Sequence, residues 1–141
     1  MALRRPDMNA LYRAADADLK SRFSVFGAFR PLPAATEREL LRVAQEAIQN
    51  VKKHAAAREL SVRLEYGQEM IVLEVRDDGR GGAVRHKAGF VPGHFGITGM
   101  QERAEAIGAM LEIESAPGAG TTVRLRVPGS AEVQESGRRR L

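Results

Sequence analysis

The sequence contains no cysteine and no tryptophan. The first absence removes disulfides, thiol nucleophiles and cysteine-bound zinc together. The second, with aromatics at only 5% of residues, argues against a base-stacking platform for single-stranded nucleic acid. No apolar run approaches the roughly 20 residues that a membrane-spanning helix needs. The opening stretch, MALRRPDMNALYRAAD, lacks the apolar core of a signal peptide. These absences fit a cytoplasmic setting with no membrane contact from this segment. What is present is 141 residues with 43% hydrophobic content, the size of one domain with one modest core. The net charge is +4, with Arg138, Arg139 and Arg140 in a terminal run that reads as solvated tail. A basic balance suits nucleic acid or a polyphosphate ligand equally.

The stretch Arg42–Ala57, RVAQEAIQNVKKHAAA, reads as one long helix. Glu46 and Asn50 are four residues apart and share a face, which Lys53 and His54 continue. Leu40, Ala44, Ala47, Ile48 and Val51 form the neighbouring apolar stripe at helical spacing. A polar seam beside a core-facing stripe suits a helix that floors a pocket; a solvated polar face is the plain alternative. Thr36-Glu37-Arg38-Glu39 has the pattern of a capping box, which predicts a helix of about 20 residues starting near residue 36.

Upstream, residues 6–20 carry Leu11, Ala15 and Leu19 at helical spacing, and Arg22–Phe29 has strand-like content. Pro31 and Pro33 stop any regular element there. Downstream, Leu60, Val62, Leu64 and Tyr66 alternate with polar residues, as do Ile71, Leu73 and Val75, which predicts an antiparallel hairpin turning at Gly67-Gln68-Glu69. A long glycine-rich segment runs to about Gly99 without an expected element. Gly99–Ala109 reads as a short helix with Met100, Ala104 and Ile107 inward and Gly108 at its end. Two strands, with Leu111 and Ile113 opposite Val123, Leu125 and Val127, close the domain before Pro128. Residues 129–141 are polar and read as a disordered tail. Strands in pairs separated by helices argue against a parallel βαβ wind. They favour an α+β fold: a mixed or antiparallel sheet with helices on one face.

Three places invite chemistry. Asp77 ends a strand and is followed by Gly79 and Gly81, so a carboxylate meets close-approaching backbone; a purine amine is a donor it could select. Read alone, Asp77-Asp78-Gly79 is equally a turn. The segment Gly93–Met100 opens the short helix, and a helix start flanked by glycines is a natural phosphate site. Asn50 could give its amide oxygen to Mg²⁺, which takes oxygen ligands and keeps several waters. Lys53 can meet phosphate charge directly.

Four stretches stand together in order and spacing: E-A-I-Q-N-V-K-K-H-A, D-D-G-R-G, H-F-G-I-T-G-M-Q-E-R-A and G-A-G-T-T-V-R-L-R-V-P. Over residues 30–128 they resemble the asparagine box and the glycine boxes of the catalytic ATP-binding domain of bacterial sensor histidine kinases. The nearest subclass resembles nitrate/nitrite sensors. DNA gyrase, the large ATP-dependent heat-shock chaperone, the mismatch-repair ATPase and anti-sigma-factor kinases are wider relatives. The resemblance implies a two-layer α/β sandwich of the Bergerat type. ATP would lie between the long helix and a glycine-rich lid, Gly82 to Gly93, which has little in it that can pack. It implies Asn50 as the Mg²⁺ ligand, Glu46 as the acid of the asparagine box, and Lys53 and His54 near phosphates. It also implies Asp77 on the adenine amine with Gly79 and Gly81 beside the base, and Thr121 at the adenine end. Gly96, Ile97, Thr98, Gly99 and Met100 would form the lid end and phosphate site.

The departure concerns the acceptor. Such kinases need a phosphoacceptor histidine on a separate dimerisation helix, and His54, His86 and His94 all lie inside the ATP-binding boxes or lid. The expectation is therefore a catalytic piece. Residues 1–29 would be a linker remnant, the acceptor would come from the same or a partner kinase, and a response regulator would act downstream. An anti-sigma-type Ser/Thr kinase and a non-catalytic interaction module are the alternatives; direct nucleic-acid binding is not expected.

Overall fold

A computed structural model describes residues 19–52, 57–79, 84–86 and 97–128. The expected helix over 6–20 and the tail after 128 lie almost wholly outside this range. Within it, strand β1 (Lys20–Gly27) leads to helix α1 (Ala34–Asn50) and then to β2 (Glu59–Tyr66) and β3 (Met70–Asp77). A short strand β4 (Val84–His86), helix α2 (Ile97–Ala106), β5 (Met110–Ser115) and β6 (Thr121–Pro128) follow. The six strands form one sheet in the order β1-β2-β3-β6-β5-β4. β1 and β2 are parallel and every other pair is antiparallel. This is the mixed, mostly antiparallel α+β sheet that the alternation implies.

α1 is held by its apolar stripe. Leu40, Val43, Ala44, Ala47 and Ile48 are all buried, and Val51 closes the same face just beyond the helix. They recur at three- and four-residue spacing and pack with Leu60, Val62, Leu73 and Val75 from the sheet. α2 adds Ile97, Met100 and Ala104 to the same core. It ends as expected: Gly108 has φ +67°, its amide bonds the Glu105 carbonyl, and the Ala109 amide bonds the Ala104 carbonyl at 2.8 Å. That pair of bonds is a Schellman end, which satisfies two otherwise orphaned carbonyls.

Three expectations need correction. The capping box does not form. α1 starts at Ala34, its N-cap is Pro33 with no side-chain cap, and the Pro33 carbonyl takes the Glu37 amide at 3.0 Å. Proline's fixed φ suits the entry to a helix, so Thr36 lies within the first turn and Glu39 is released for another partner. Nor does the helix run on to Ala57, which lies outside it. Second, one βαβ unit is present, because β1 is not half of a hairpin and α1 carries the chain back to lay β2 parallel beside it. Third, the glycine-rich segment contains a strand: β4 pairs antiparallel with β5, Val84 opposite Ser115.

The face of the sheet away from the helices is polar. Arg124 bridges Glu74 at 2.7 Å and Glu112 at 3.4 Å, and Arg126 also meets Glu112 at 3.4 Å. These pairs run across β3, β6 and β5, where cross-strand neighbours on one face meet.

Candidate functional site

One row of residues crosses the whole sheet at the end where β3 stops. Ser21, Leu60, Asp77, Thr121, Ser115 and Val84 are successive register partners. Asp77 is buried at 7% exposure, a charged residue among core side chains. Its Oδ1 accepts the Gly79 amide at 2.7 Å, and the Thr121 amide also donates to the carboxylate. Burial pushes the Asp77 carboxyl above its ordinary value. The Gly79 bond opposes this, the Asp78 charge adds to it, and the Thr121 bond opposes it again. A carboxylate has about four lone-pair positions, so two amide bonds leave capacity for a ligand's donor.

The adjacent carboxylate does a different job. Asp78 Oδ1 accepts the backbone amides of Glu59 at 2.9 Å and Arg58 at 3.0 Å, and these bonds hold its carboxyl below the ordinary value. The Asp78 amide returns a bond to the Glu59 carbonyl. Asp78 thus ties the start of β2 to the end of β3 and fixes the position of Asp77 beside it. Gly120 completes this corner. It has φ +77°, and a Cβ there would run into the Asp77 carbonyl oxygen. Ser115 Oγ lies 2.8 Å from Thr121 Oγ1 and bonds the Gly120 carbonyl, so the turn before β6 is pinned at both ends.

Residues 35–131 match the model of the family described as histidine kinase-, DNA gyrase B- and HSP90-like ATPases. The chain belongs to this ATPase family. It is 33% identical over 89 residues to the signal transduction histidine-protein kinase/phosphatase DegS of Bacillus subtilis, covering 63% of this chain and 23% of that protein. It is 35% identical over 101 residues to the sensor protein VraS of Staphylococcus saprophyticus, covering 72% of this chain and 28% of that one. The chain therefore spans about a quarter of the length of these relatives. Among solved structures, the histidine kinase domain of the blue-light activated histidine kinase of Erythrobacter litoralis superposes with a TM-score of 0.66. That match covers 86% of this chain and 61% of that one at 20% identity, a likeness of fold.

In this ATPase-family domain the strand end brings Asp77, Gly79 and Thr121 together. Glu46 and Asn50 are both half-buried on α1, the face that the four-residue spacing implies. At the start of α2, Ile97 and Met100 are each 1% exposed, so their side chains belong to the core and only their backbone is available to a ligand. Thr98 and Gly99 are exposed in the same turn, which carries no acidic residue. A helix start with unpaired amides and no local negative charge favours an anion. Lys53, His54, Gly81 and Gly96 lie outside the described residues, as does most of the glycine-rich lid. Among the described residues no cluster of three or more His, Asp or Glu could hold a metal, and no helix is long and apolar enough to cross a membrane.

Sequence reasoning missed Ser115, Asp78 and Gly120. The signal for both was the A-P-G-A-G turn: Ser115 directly precedes it, and Gly120 is its last residue, directly before Thr121. Asp78 was read only as part of a turn, because nothing local indicates that its carboxylate reaches the amides of Arg58 and Glu59.

Proposed function

We propose that this chain is the ATP-binding catalytic domain of a sensor histidine kinase, acting in two-component signalling. The observation that carries the reading is the buried Asp77, held by the Gly79 and Thr121 amides with acceptor capacity to spare. That arrangement fits a neutral hydrogen-bond donor on a flat ring, and an adenine amine is one. In this reading Gly79 and Gly81 would flank the base, and the Thr121 amide supports the carboxylate. Asn50 is the residue that would hold Mg²⁺, with Glu46 one turn before it, and one side-chain oxygen is sufficient for an ion that otherwise binds phosphates and water. The ion's contribution when bound is charge neutralisation. Lys53 and His54 would meet the phosphates in this reading, and the first turn of α2, Ile97 to Met100, has backbone amides to offer them.

In the transfer, the bond from the γ-phosphorus to the β,γ-bridging oxygen breaks and ADP departs. A bond forms from phosphorus to an imidazole nitrogen on a separate acceptor domain of the same or a partner kinase. Little covalent chemistry falls to this domain, whose task is positioning. The acceptor passes its phosphoryl group to a response regulator. The work is cytoplasmic, and the H-F-G-I-T-G-M-Q-E-R-A stretch supports a place in the subclass that resembles nitrate/nitrite sensors. Residues 30–128 form the catalytic unit together with strand β1 (Lys20–Gly27), which pairs with β2; the stretch before β1 is the linker and 129–141 the tail.

Calorimetric titration of the 141-residue chain with ATP, with and without Mg²⁺, tests the pocket. Saturable binding that Asp77→Asn weakens, and whose Mg²⁺ dependence Asn50→Ala removes, is the expected result. A folded domain with no nucleotide affinity overturns it.

A further inference from the structure

Thr121 stands between Asp77 on β3 and Ser115 on β5, its register partners on the helix-side face of the sheet. Directly opposed side chains on one face have Cβ atoms about 5 Å apart, within reach of a hydroxyl. A hydroxyl beside a carboxylate ordinarily donates to it, because a charged acceptor makes the stronger bond. At this corner the Asp77 carboxylate is met by the backbone amides of Gly79 and Thr121, while Thr121 Oγ1 lies 2.8 Å from Ser115 Oγ. A second bond fixes the direction of that contact. Ser115 Oγ lies 3.2 Å from the Gly120 carbonyl oxygen, which can only accept, so the Ser115 hydroxyl proton goes there. Thr121 therefore donates to Ser115. The Gly120 carbonyl is itself held in place, because Gly120 has φ +77° and packs closely on the Asp77 backbone.

We propose that Ser115 is a positioning residue for base selection: by taking the Thr121 proton it leaves Thr121 Oγ1 and the Asp77 carboxylate side by side as acceptors, which favours a purine with a 6-amino group over one with a 6-oxo group. The inference rests on the nucleotide reading above and adds a residue that acts through Thr121 rather than on the base. An amine can donate to such a corner. A 6-oxo oxygen would set lone pairs against lone pairs and leave buried acceptors unpaired, which is the costly kind of mismatch. Without Ser115 the Thr121 proton is released. It can turn to Asp77 and occupy acceptor capacity that the amine would use, or it can donate to a 6-oxo oxygen and make the wrong base welcome. Either way discrimination falls.

The test uses the whole chain and a ribose-labelled fluorescent ATP analogue, displaced by ATP or by ITP in the presence of Mg²⁺. ITP carries an oxygen at the 6-position of the ring, where ATP carries the amine. The ratio of the two affinities is the readout. Ser115→Ala should lower it about fivefold. Ser115→Thr, which keeps an oxygen at this position, should hold the parent ratio. Thr121→Val has no proton to direct, so adding Ser115→Ala to it should leave the ratio of the Thr121→Val chain unchanged. Ser115 is half-buried, so its alanine variant opens no cavity in the core, and a thermal melt of each chain checks that it folds. A purely structural role in the turn would weaken ATP and ITP by the same factor. An unchanged ratio in Ser115→Ala therefore overturns the proposal, as does a full Ser115→Ala effect in the Thr121→Val background. In both cases a parent chain that binds ATP keeps the nucleotide reading. A folded parent chain that binds neither nucleotide overturns that reading and this inference together.

Discussion

Arg103 Nη1 lies 2.9 Å from Glu39 Oε1, joining α2 to α1 through residues 64 positions apart. α2 is only 10 residues long and reaches the core through three fully buried side chains, so this pair helps set how it lies along α1. The side chains are 38% and 18% exposed, which leaves the pair partly screened. We expect Glu39→Gln and Arg103→Met each to cost about 1 kcal/mol, with a coupling of roughly 0.5 kcal/mol between them. Urea unfolding of both single variants and the double variant, repeated in high salt, measures this. Strictly additive losses would mean that the pair contributes no coupling and only packing is lost.

Two glycines of the same turn should respond differently to alanine. Gly118 and Gly120 have φ +76° and +77°, so both substitutions strain the backbone. A Cβ at Gly118 meets nothing within 4 Å, whereas one at Gly120 meets the Asp77 carbonyl and the Asp78 backbone. Gly118→Ala should cost about 1 kcal/mol, and Gly120→Ala about 3 kcal/mol or more, because there the strands must part. Gly120→Ala should also weaken ATP binding, while Gly118→Ala leaves it unchanged. Similar unfolding midpoints for the two variants would sink the argument.

The elements that a single period defines were legible in the chain. The alternation of Leu60 to Tyr66 and Ile71 to Val75 states which faces are buried, and the α1 stripe from Leu40 to Val51 does the same for the helix. Asp77 was legible as well, because a carboxylate at the end of an apolar alternation followed by Gly79 is an unusual juxtaposition. What could not be read was non-local. The parallel pairing of β1 with β2 depends on where α1 returns the chain. β4 has three residues, too few to show a period, and forms against the edge that β5 offers. The Thr36 cap failed because Pro33, with no side-chain acceptor at all, already provides a suitable entry to the helix. Ser115 meets Thr121 only because the turn between them closes at Gly118 and Gly120.

Asp78 should govern part of the acid limb of stability. Its folded carboxyl is held below the ordinary value by the Glu59 and Arg58 amides. The unfolded chain therefore takes up this proton first as pH falls, and the stabilisation is present above the ordinary carboxylate value and lost below it. Asp78→Asn should be less stable than the parent at neutral pH, and the difference should shrink as pH drops through that range. Unfolding midpoints at several pH values read the effect directly. A constant offset at every pH would show that the Asp78 charge plays no part.

Asp77 has the opposite linkage, and this separates its structural cost from its use. Its folded carboxyl is raised above the ordinary value, with burial the largest cause. As pH rises through the interval between the unfolded and folded values, the unfolded state loses its proton first. Native stability therefore falls across that interval, and above it the ionised, desolvated carboxylate remains a cost. Asp77→Asn removes the charge yet keeps an oxygen that can accept the Gly79 amide. The ligand-free variant should be as stable as the parent at neutral pH or more stable. ATP affinity should fall at least about tenfold, a loss of roughly 1.4 kcal/mol, because an amide accepts more weakly than a carboxylate. Thermal melts of parent and variant, each with and without ATP and Mg²⁺, test both halves at once. An Asp77→Asn domain that is less stable than the parent without nucleotide, yet is shifted as far by ATP, would make Asp77 a structural residue and return the adenine assignment to the start.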